Sequence, residues 1–343
     1  MSSDQGVPAV PMGAPSDLPG IADVLSAAQR ISGKVHRTPI ISSRQINTLC
    51  DAEVYFKCEH LQKVGAFKAR GASNAVQMVP AGIEVVATHS SGNHGAALAW
   101  AAAEAGLSCK VVMPDNAPRA KLDAVAAYGA EIELCAPTLA DREKTLADLV
   151  RETGAHVIPP FDDPRIIAGQ GTVALEVLDQ CRAQGFTPDL LVCPVGGGGL
   201  LAGIGLAVSA LAPEIKVIGA EPAGADDAQR SLRSGVRVTE QVPETIADGL
   251  RTTLGVRNFE LARESVTDVV TVSEQDIVSA LKLLWSRTKQ LVEPSSAVAL
   301  AAVMAHRPRF RGKRVVVVLT GGNMDLAGIG ALFASGDAGT DSA

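Results

Sequence analysis

Lys68 lies in the string Gly65-Ala66-Phe67-Lys68-Ala69-Arg70-Gly71-Ala72, and its amine is the group in this chain best suited to covalent chemistry. A lysine becomes nucleophilic near neutral pH when an apolar, partly desolvated pocket disfavours its charged form. Phe67 could supply one wall of such a pocket; an isolated lysine is ordinarily a solvated surface charge. Three further strings carry compatible chemistry. Gly196-Gly197-Gly198-Gly199 follows the apolar run 190–195 and precedes an apolar helical segment, so its N–H groups suit a phosphate-sized anion. The same glycines suit a tight turn or a dinucleotide site, because Glu221 falls at about the twenty-residue spacing of a ribose ligand. Ser90-Ser91-Gly92-Asn93-His94-Gly95 opens a helix, where hydroxyls and amides either cap the backbone or hold a carboxylate. Thr320, in Thr320-Gly321-Gly322-Asn323, offers a hydroxyl just after the apolar run 315–319.

The segments that must position these groups alternate in type. Helices are expected over 21–31, 96–105, 117–128, 140–152, 275–288 and 297–305. Strands are expected over 54–58, 85–88, 109–113, 131–134, 190–194, 217–221 and 315–319. Short β-branched runs between helices predict parallel sheets covered on both faces.

Composition narrows the function classes. The 343 residues allow two domains, and 47% hydrophobic with 20% charged content is the balance of a globular chain. A net charge of -6 gives no general basic surface and argues against nucleic acid as the main partner. The apolar runs are too short to span a bilayer, so no membrane association is expected. Asp4 and the early prolines do not read as a secretory signal, and a cytoplasmic location is expected. Cysteines at 50, 58, 109, 135, 181 and 193 lack the spacing of a metal or redox motif and read as packed, reduced thiols.

In this order the four strings resemble the fold-type II pyridoxal phosphate (PLP) enzymes, most nearly the serine/threonine dehydratases and serine racemases. The likeness spans about residues 20–330 and includes Gly169-Gln170-Gly171-Thr172, Thr245-Ile246-Ala247-Asp248-Gly249-Leu250 and Glu293-Pro294-Ser295-Ser296. It implies an α/β fold of two open parallel-sheet domains flanked by helices, like the tryptophan synthase β subunit. Residues 1–80 and 160–343 would form the large PLP-binding domain and 81–159 the small one, with flexible tails at 1–19 and 335–343. No effector-binding extension is expected after residue 330.

The resemblance also assigns roles. Lys68 would hold PLP as a Schiff base and then serve as the base at the substrate Cα. Phe67, Asn93, Gly196, Gly197, Gly198, Gly199 and Thr320 would bind the cofactor, with Asn93 at the ring hydroxyl and Thr320 at the pyridine nitrogen. A hydroxyl at that nitrogen, rather than a carboxylate, suits rapid β-elimination. Ser90, Ser91, Asn93 and His94 would surround the substrate carboxylate, His94 as a contact and not an acid or base. Ala66 stands where many members have serine, which removes a minor polar contact. Ala220-Glu221-Pro222-Ala223-Gly224-Ala225-Asp226-Asp227 resembles a divalent-cation loop in which Glu221, Asp227 and the carbonyl of Ala225 would hold Mg²⁺ or Ca²⁺. Without the resemblance this string reads as an acidic surface turn.

The implied activity is β-elimination from a small amino-acid substrate, serine or threonine, to a 2-oxo acid and ammonia, by a homodimer. Two alternatives come from the same family. Serine racemisation would use Ser91 as the second acid; 3-hydroxyaspartate dehydration would use Arg142 for the second carboxylate. Arg142 also reads as a solvated helix arginine beside Asp141 and Glu143. Phe161 is more like the threonine dehydratases, the cation loop more like the racemases. A silent anion-binding module and a nicotinamide oxidoreductase are the readings from other classes; Lys68, Asn93 and Thr320 together argue against both.

Overall fold

The structure, a computed structural model, describes residues 17–334 except residue 91. The expected tails fall mostly on 1–16 and 335–343, outside the described residues. Among the described residues ten strands form two sheets. The larger sheet contains β1 (Ile40–Ser42), β2 (Glu53–Lys57), β7 (Leu190–Pro194), β8 (Lys216–Pro222), β9 (Asp268–Val272) and β10 (Arg314–Val318), in the order β1-β2-β10-β7-β8-β9. The smaller contains β3 (Val85–His89), β4 (Ser108–Pro114), β5 (Glu131–Cys135) and β6 (His156–Val157), in the order β5-β4-β3-β6. All pairings are parallel except β1 with β2, which departs from the uniformly parallel expectation. β1 is a three-residue edge strand, and its partner β2 begins soon after the helix Arg44–Cys50, so no long crossover intervenes.

β10 shows why the large sheet is buried on both sides. Val315 and Val317 pack with the helix Pro294–Ala305, while Val316 and Val318 join the cluster of Pro164–Ala183 and Gly199–Leu211 on the other face. Opposite-facing side chains of one strand thus enter two separate cores. The small sheet repeats the arrangement: Val86, Val111 and Met113 meet the alanine-rich helix Asn93–Glu104, and Ala87 and Val112 meet Leu146 and Leu149 of Leu139–Thr153. All six cysteines are free and buried. Among the described residues no helix is long and apolar enough to cross a membrane.

The C-terminal ends of β3, β7 and β10 lead directly into the three strings that follow strands, the usual place for ligands in open parallel sheets. The helix expected from residue 96 starts instead at Asn93, so Asn93 and His94 belong to its first turn. Ser90 Oγ accepts from the N–H groups of Gly92 and Gly95 at 3.3 and 3.0 Å, supporting that start from outside the helix.

Candidate active site

Lys68 begins the helix Lys68–Val76 and is half-buried. Its loop is stitched to the end of β10: Phe67 N donates to Thr320 O at 3.0 Å, and Ala66 forms a bridge with Gly321. The amine donates to Pro160 O at 2.7 Å and lies 5.3 Å from the centre of the Phe67 ring. Burial pulls its pKa down to about 8, against the opposing pull of the Glu293 carboxylate.

Lys68 is also next to the glycine loop. Pro160 precedes Phe161, and a Cβ placed on Gly197 would lie 2.3 Å from the Phe161 ring. Gly198 adopts φ 87°, a left-handed conformation, and begins the helix Gly199–Leu211 with no side-chain cap. Among the described residues the turn-closing backbone bonds leave the N–H groups of Gly196, Gly197 and Gly198 unused. The loop is held from behind. Asn258 Nδ2 donates to Gly197 O at 2.6 Å, and the Asp162 carboxylate accepts from the N–H groups of Val256 and Arg257 at 3.0 and 2.9 Å. The result is a helix start with free donors beside a desolvated amine, a suitable cradle for an anion.

Asn93 reaches across to the large sheet. Its Nδ2 donates to both Glu293 oxygens at 3.0 and 3.2 Å, and its Oδ1 accepts from Asn323 Nδ2 at 2.9 Å. Thr320 Oγ1 lies 3.0 Å from Ser296 Oγ, which also accepts from Gly321 N at 2.7 Å. Burial, then the nearby Asp248 charge, pushes the Glu293 carboxyl up to about 7. Lys121 on the helix Arg119–Ala127 pairs with Asp248, joining the two sheet systems near Gly92. Sequence reasoning gave no role to Glu293, Asn323, Ser296, Asp162 or Asn258. Three of them lie in strings that were singled out, but their contacts across the chain have no local signature.

His94 Nε2 lies 3.1 Å from Ile158 O; a carbonyl only accepts, so Nε2 carries the proton and the buried Nδ1 is left without a partner. Burial, reinforced by Lys68, pulls His94 down to about 3, which keeps the ring neutral. Ser90 stands at the loop before it, and Ser91 lies outside the described residues. Arg142 is half-buried on Leu139–Thr153, and its Nε makes a 3.4 Å contact with Thr138 O. Among the described residues it has no carboxylate partner. His89, at the end of β3, is pulled down to about 4 by burial and by the Arg142 charge. Arg142 therefore keeps both readings open, a helix arginine in an exposed contact with its own turn and a cation free to meet a second carboxylate.

The acidic string turns at the exposed Ala223 and Gly224, but two of its carboxylates point inward. Glu221 is 0%, Ala225 1% and Asp227 1% exposed. Glu221 accepts from Ala228 N and Gln229 N at 3.1 and 2.9 Å, and Asp227 from Leu254 N and Gln241 Nε2 at 2.7 Å each. Burial first, then the Asp227 charge, raises Glu221 well above the carboxylate range, and burial pushes Asp227 up to about 6. Among the described residues there is no cluster of three or more His, Cys, Asp or Glu side chains suited to a metal; the expected set has two carboxylates and a carbonyl.

Two parallel sheets that meet at a desolvated lysine and an open set of glycine N–H groups describe an enzyme built around an anionic aldehyde cofactor. The family model for pyridoxal-phosphate dependent enzymes matches residues 31–321, and the chain belongs to that family. It is 45% identical over 311 residues to the beta-hydroxyaspartate dehydratase of Paracoccus denitrificans, covering 90% of this chain and 98% of that protein. It is 43% identical over 315 residues to the serine racemase of Dictyostelium discoideum, covering 90% and 96%. The solved structure of the T.th. threonine deaminase superposes with a TM-score of 0.87 at 44% identity, covering 90% of this chain and 99% of that one. The residues present fit PLP: the free N–H groups match its phosphate, and the Lys68 amine matches its aldehyde.

Proposed function

We propose that this chain is a PLP-dependent ammonia-lyase that removes the β-hydroxyl of L-serine or L-threonine and releases a 2-oxo acid and ammonia. The observation that carries this reading is a lysine amine set against the Phe67 ring and Pro160 O and tied by its own loop to the Thr320 segment. Bound PLP supplies an electron sink for charge developing at Cα. Lys68 holds the cofactor, and its neutral amine takes the Cα proton because burial disfavours the ammonium form. Gly196, Gly197, Gly198 and Gly199 would hold the phosphate, Phe67 would wall the ring, and Thr320 would offer a hydroxyl to the ring nitrogen. Asn93, fixed by Glu293 and Asn323, orients the ring hydroxyl. Ser90, Ser91 and the helix start at Asn93 take the substrate carboxylate, and neutral His94 adds no competing charge. The same reading assigns residues 1–80 and 160–343 to the large domain, 81–159 to the small one, and a cytoplasmic homodimer as the working form. The test is release of 2-oxo acid from L-serine and L-threonine, with D-serine measured alongside. Formation of D-serine without 2-oxo acid would replace elimination by racemisation.

A second reading, dehydration of 3-hydroxyaspartate, is supported by Arg142, half-buried beside His89 without a carboxylate partner among the described residues. A charged hydrogen bond is worth roughly 1.5–3 kcal/mol, so Arg142→Gln is expected to lower kcat/KM for 3-hydroxyaspartate by about tenfold to a hundredfold. Serine turnover should stay within about twofold, since serine has no second carboxylate. Unchanged hydroxyaspartate kinetics in this variant would remove the second reading.

Glu221, Asp227 and the Ala225 carbonyl are proposed to hold Mg²⁺ or Ca²⁺, which would offset two carboxylates buried side by side. A cation at roughly 100 times its Kd adds about 2.7 kcal/mol of stability. Chelator is therefore expected to lower the unfolding midpoint by several degrees, with recovery on adding Mg²⁺. An Asp227→Asn variant should lose this response; a midpoint indifferent to chelator in the unsubstituted protein would remove the cation.

A further inference from the structure

A groove of about 1040 Å³ is lined by His156, Val157, Pro159 and residues 162–165 of the segment that contacts Lys68 through Pro160, while Lys68, Asn93, the glycine loop and Thr320 are not among its lining residues. Its apolar wall includes Leu18, Met78, Leu146, Ala147, Val157 and Pro159, drawn from both sheet systems. The charges in it are unevenly satisfied. Arg165 is held by Asp163 through contacts of 2.9 and 2.6 Å, and Asp23 accepts from Gly20 N at 2.8 Å. Asp162 is committed to the backbone N–H groups of Val256 and Arg257.

Arg257 and Arg30 are different. The Arg257 side chain is 5% exposed, its Nε has no partner, and its nearest carboxylates are the exposed Asp17 at 3.6 Å and Asp162 at 4.0 Å. Its side-chain hydrogen bond among the described residues is a 3.4 Å contact from Nη1 to Asp162 O. Arg30, half-buried on Ile21–Ile31, donates from Nε to Asn74 Oδ1 at 2.8 Å and has no carboxylate partner among the described residues. A buried guanidinium with unmet donors is costly, and an anion that meets them is stabilising.

We infer that this groove is a regulatory site for an amphipathic monocarboxylate, whose head displaces Asp17 from Arg257 while its apolar body lies along the wall. A single carboxylate is enough for Arg257: Arg165 is already held by Asp163, and Asp17, Asp23 and Glu143 oppose Lys144 and Arg30 on the same lining. The position is regulatory because His89 and Asp162 line it too. His89 leads into Ser90, and Asp162 follows Phe161, whose ring packs against Gly197, so the groove shares residues with segments that touch both strings.

The test is calorimetric titration of the holoenzyme with octanoate, with acetate as a head-only comparison. Saturable octanoate binding is expected, with kcat/KM for the turned-over amino acid changing over the same concentration range and acetate binding at least about tenfold more weakly. Arg257→Met should raise the octanoate Kd about tenfold or more, and the half-buried Arg30→Gln guards against a folding failure of the first variant. The inference is overturned by absence of saturable heat, by binding that survives in both variants, or by binding without a kinetic change. Octanoate acting as a purely competitive inhibitor against the amino-acid substrate would place the carboxylate in the substrate cleft and overturn it equally. The heat of binding does not depend on which reaction the enzyme performs, so failure here and failure of the lyase reading are distinguishable.

Discussion

Replacing Lys68 with alanine is expected to erase the visible absorbance of lysine-bound cofactor and to lower kcat/KM by about 10⁴-fold or more, since tether and base are lost together. A variant that kept the band would place the covalent link elsewhere. The pH dependence of cofactor uptake sharpens the assignment. Capture of the aldehyde needs the unprotonated amine, and Lys68 has its pKa pulled down to about 8 by burial. In cofactor-free protein, the rate of covalent uptake should therefore climb with pH until about 8 and then level off. A solvated lysine, with a pKa of about 10.4, would keep climbing through pH 9 and 10. Glu293 opposes the shift by favouring the ammonium form, so Glu293→Gln should move the plateau to lower pH. Stopped-flow absorbance with added PLP measures both.

The parts of this site that were readable are those that a single short string carries. The run at 190–194 needed both-sided burial to make sense, and it is β7 residue for residue. The lysine loop, read from its own string, is stitched to the Thr320 segment; the glycine loop had several local readings, and the role of Thr320 came from the resemblance alone. What could not be read is how the strings hold one another. Glu293 and Asn93 are 200 residues apart, and nothing near either announces the bond. The helix Pro164–Ala183 was hidden for another reason. It carries Gly169 and Gly171 in its interior, where a Cβ on Gly169 would lie 2.6 Å from Gly71 Cα and one on Gly171 2.8 Å from Gly203 O. These glycines let three helices approach backbone to backbone, a packing role with no periodic signal. The plain reading of the acidic string as a surface turn missed its inward carboxylates, because burial of Glu221 and Asp227 depends on loops contributed by distant segments, including Gln241 and Leu254.

Loss of the Arg70 guanidinium is expected to be the most destabilising single change near the site, about 3–5 kcal/mol, because it leaves the fully buried Glu59 carboxylate with only the Thr38 hydroxyl and no cation in contact. Arg70 lies two residues after Lys68 and is 0% exposed, as are Lys57 and Glu59. Its Nε and Nη2 grip Glu59 at 2.7 Å each, and its Nη1 meets Glu176 at 2.7 Å. Lys57 completes a set of two cations and two anions through Glu176 at 2.6 Å, and donates to Thr38 O at 2.8 Å. Burial alone would raise the Glu59 carboxyl, but the Arg70 charge overrides it and holds the group below its ordinary value. A depressed carboxylate contributes stability that is present at neutral pH and is lost as pH falls through its folded pKa. Urea unfolding should therefore show the native protein weakening in acid, and Arg70→Met both weaker at neutral pH and less sensitive to acid. The charge set is a structural brace and not a charge requirement of catalysis, so Arg70→Met combined with Glu59→Leu should recover part of the loss. A single variant as stable as the native chain would mean that water or a rearranged Lys57 reaches these carboxylates. The helix that starts at Lys68 would then owe its position to the glycine-mediated packing against Pro164–Ala183 alone.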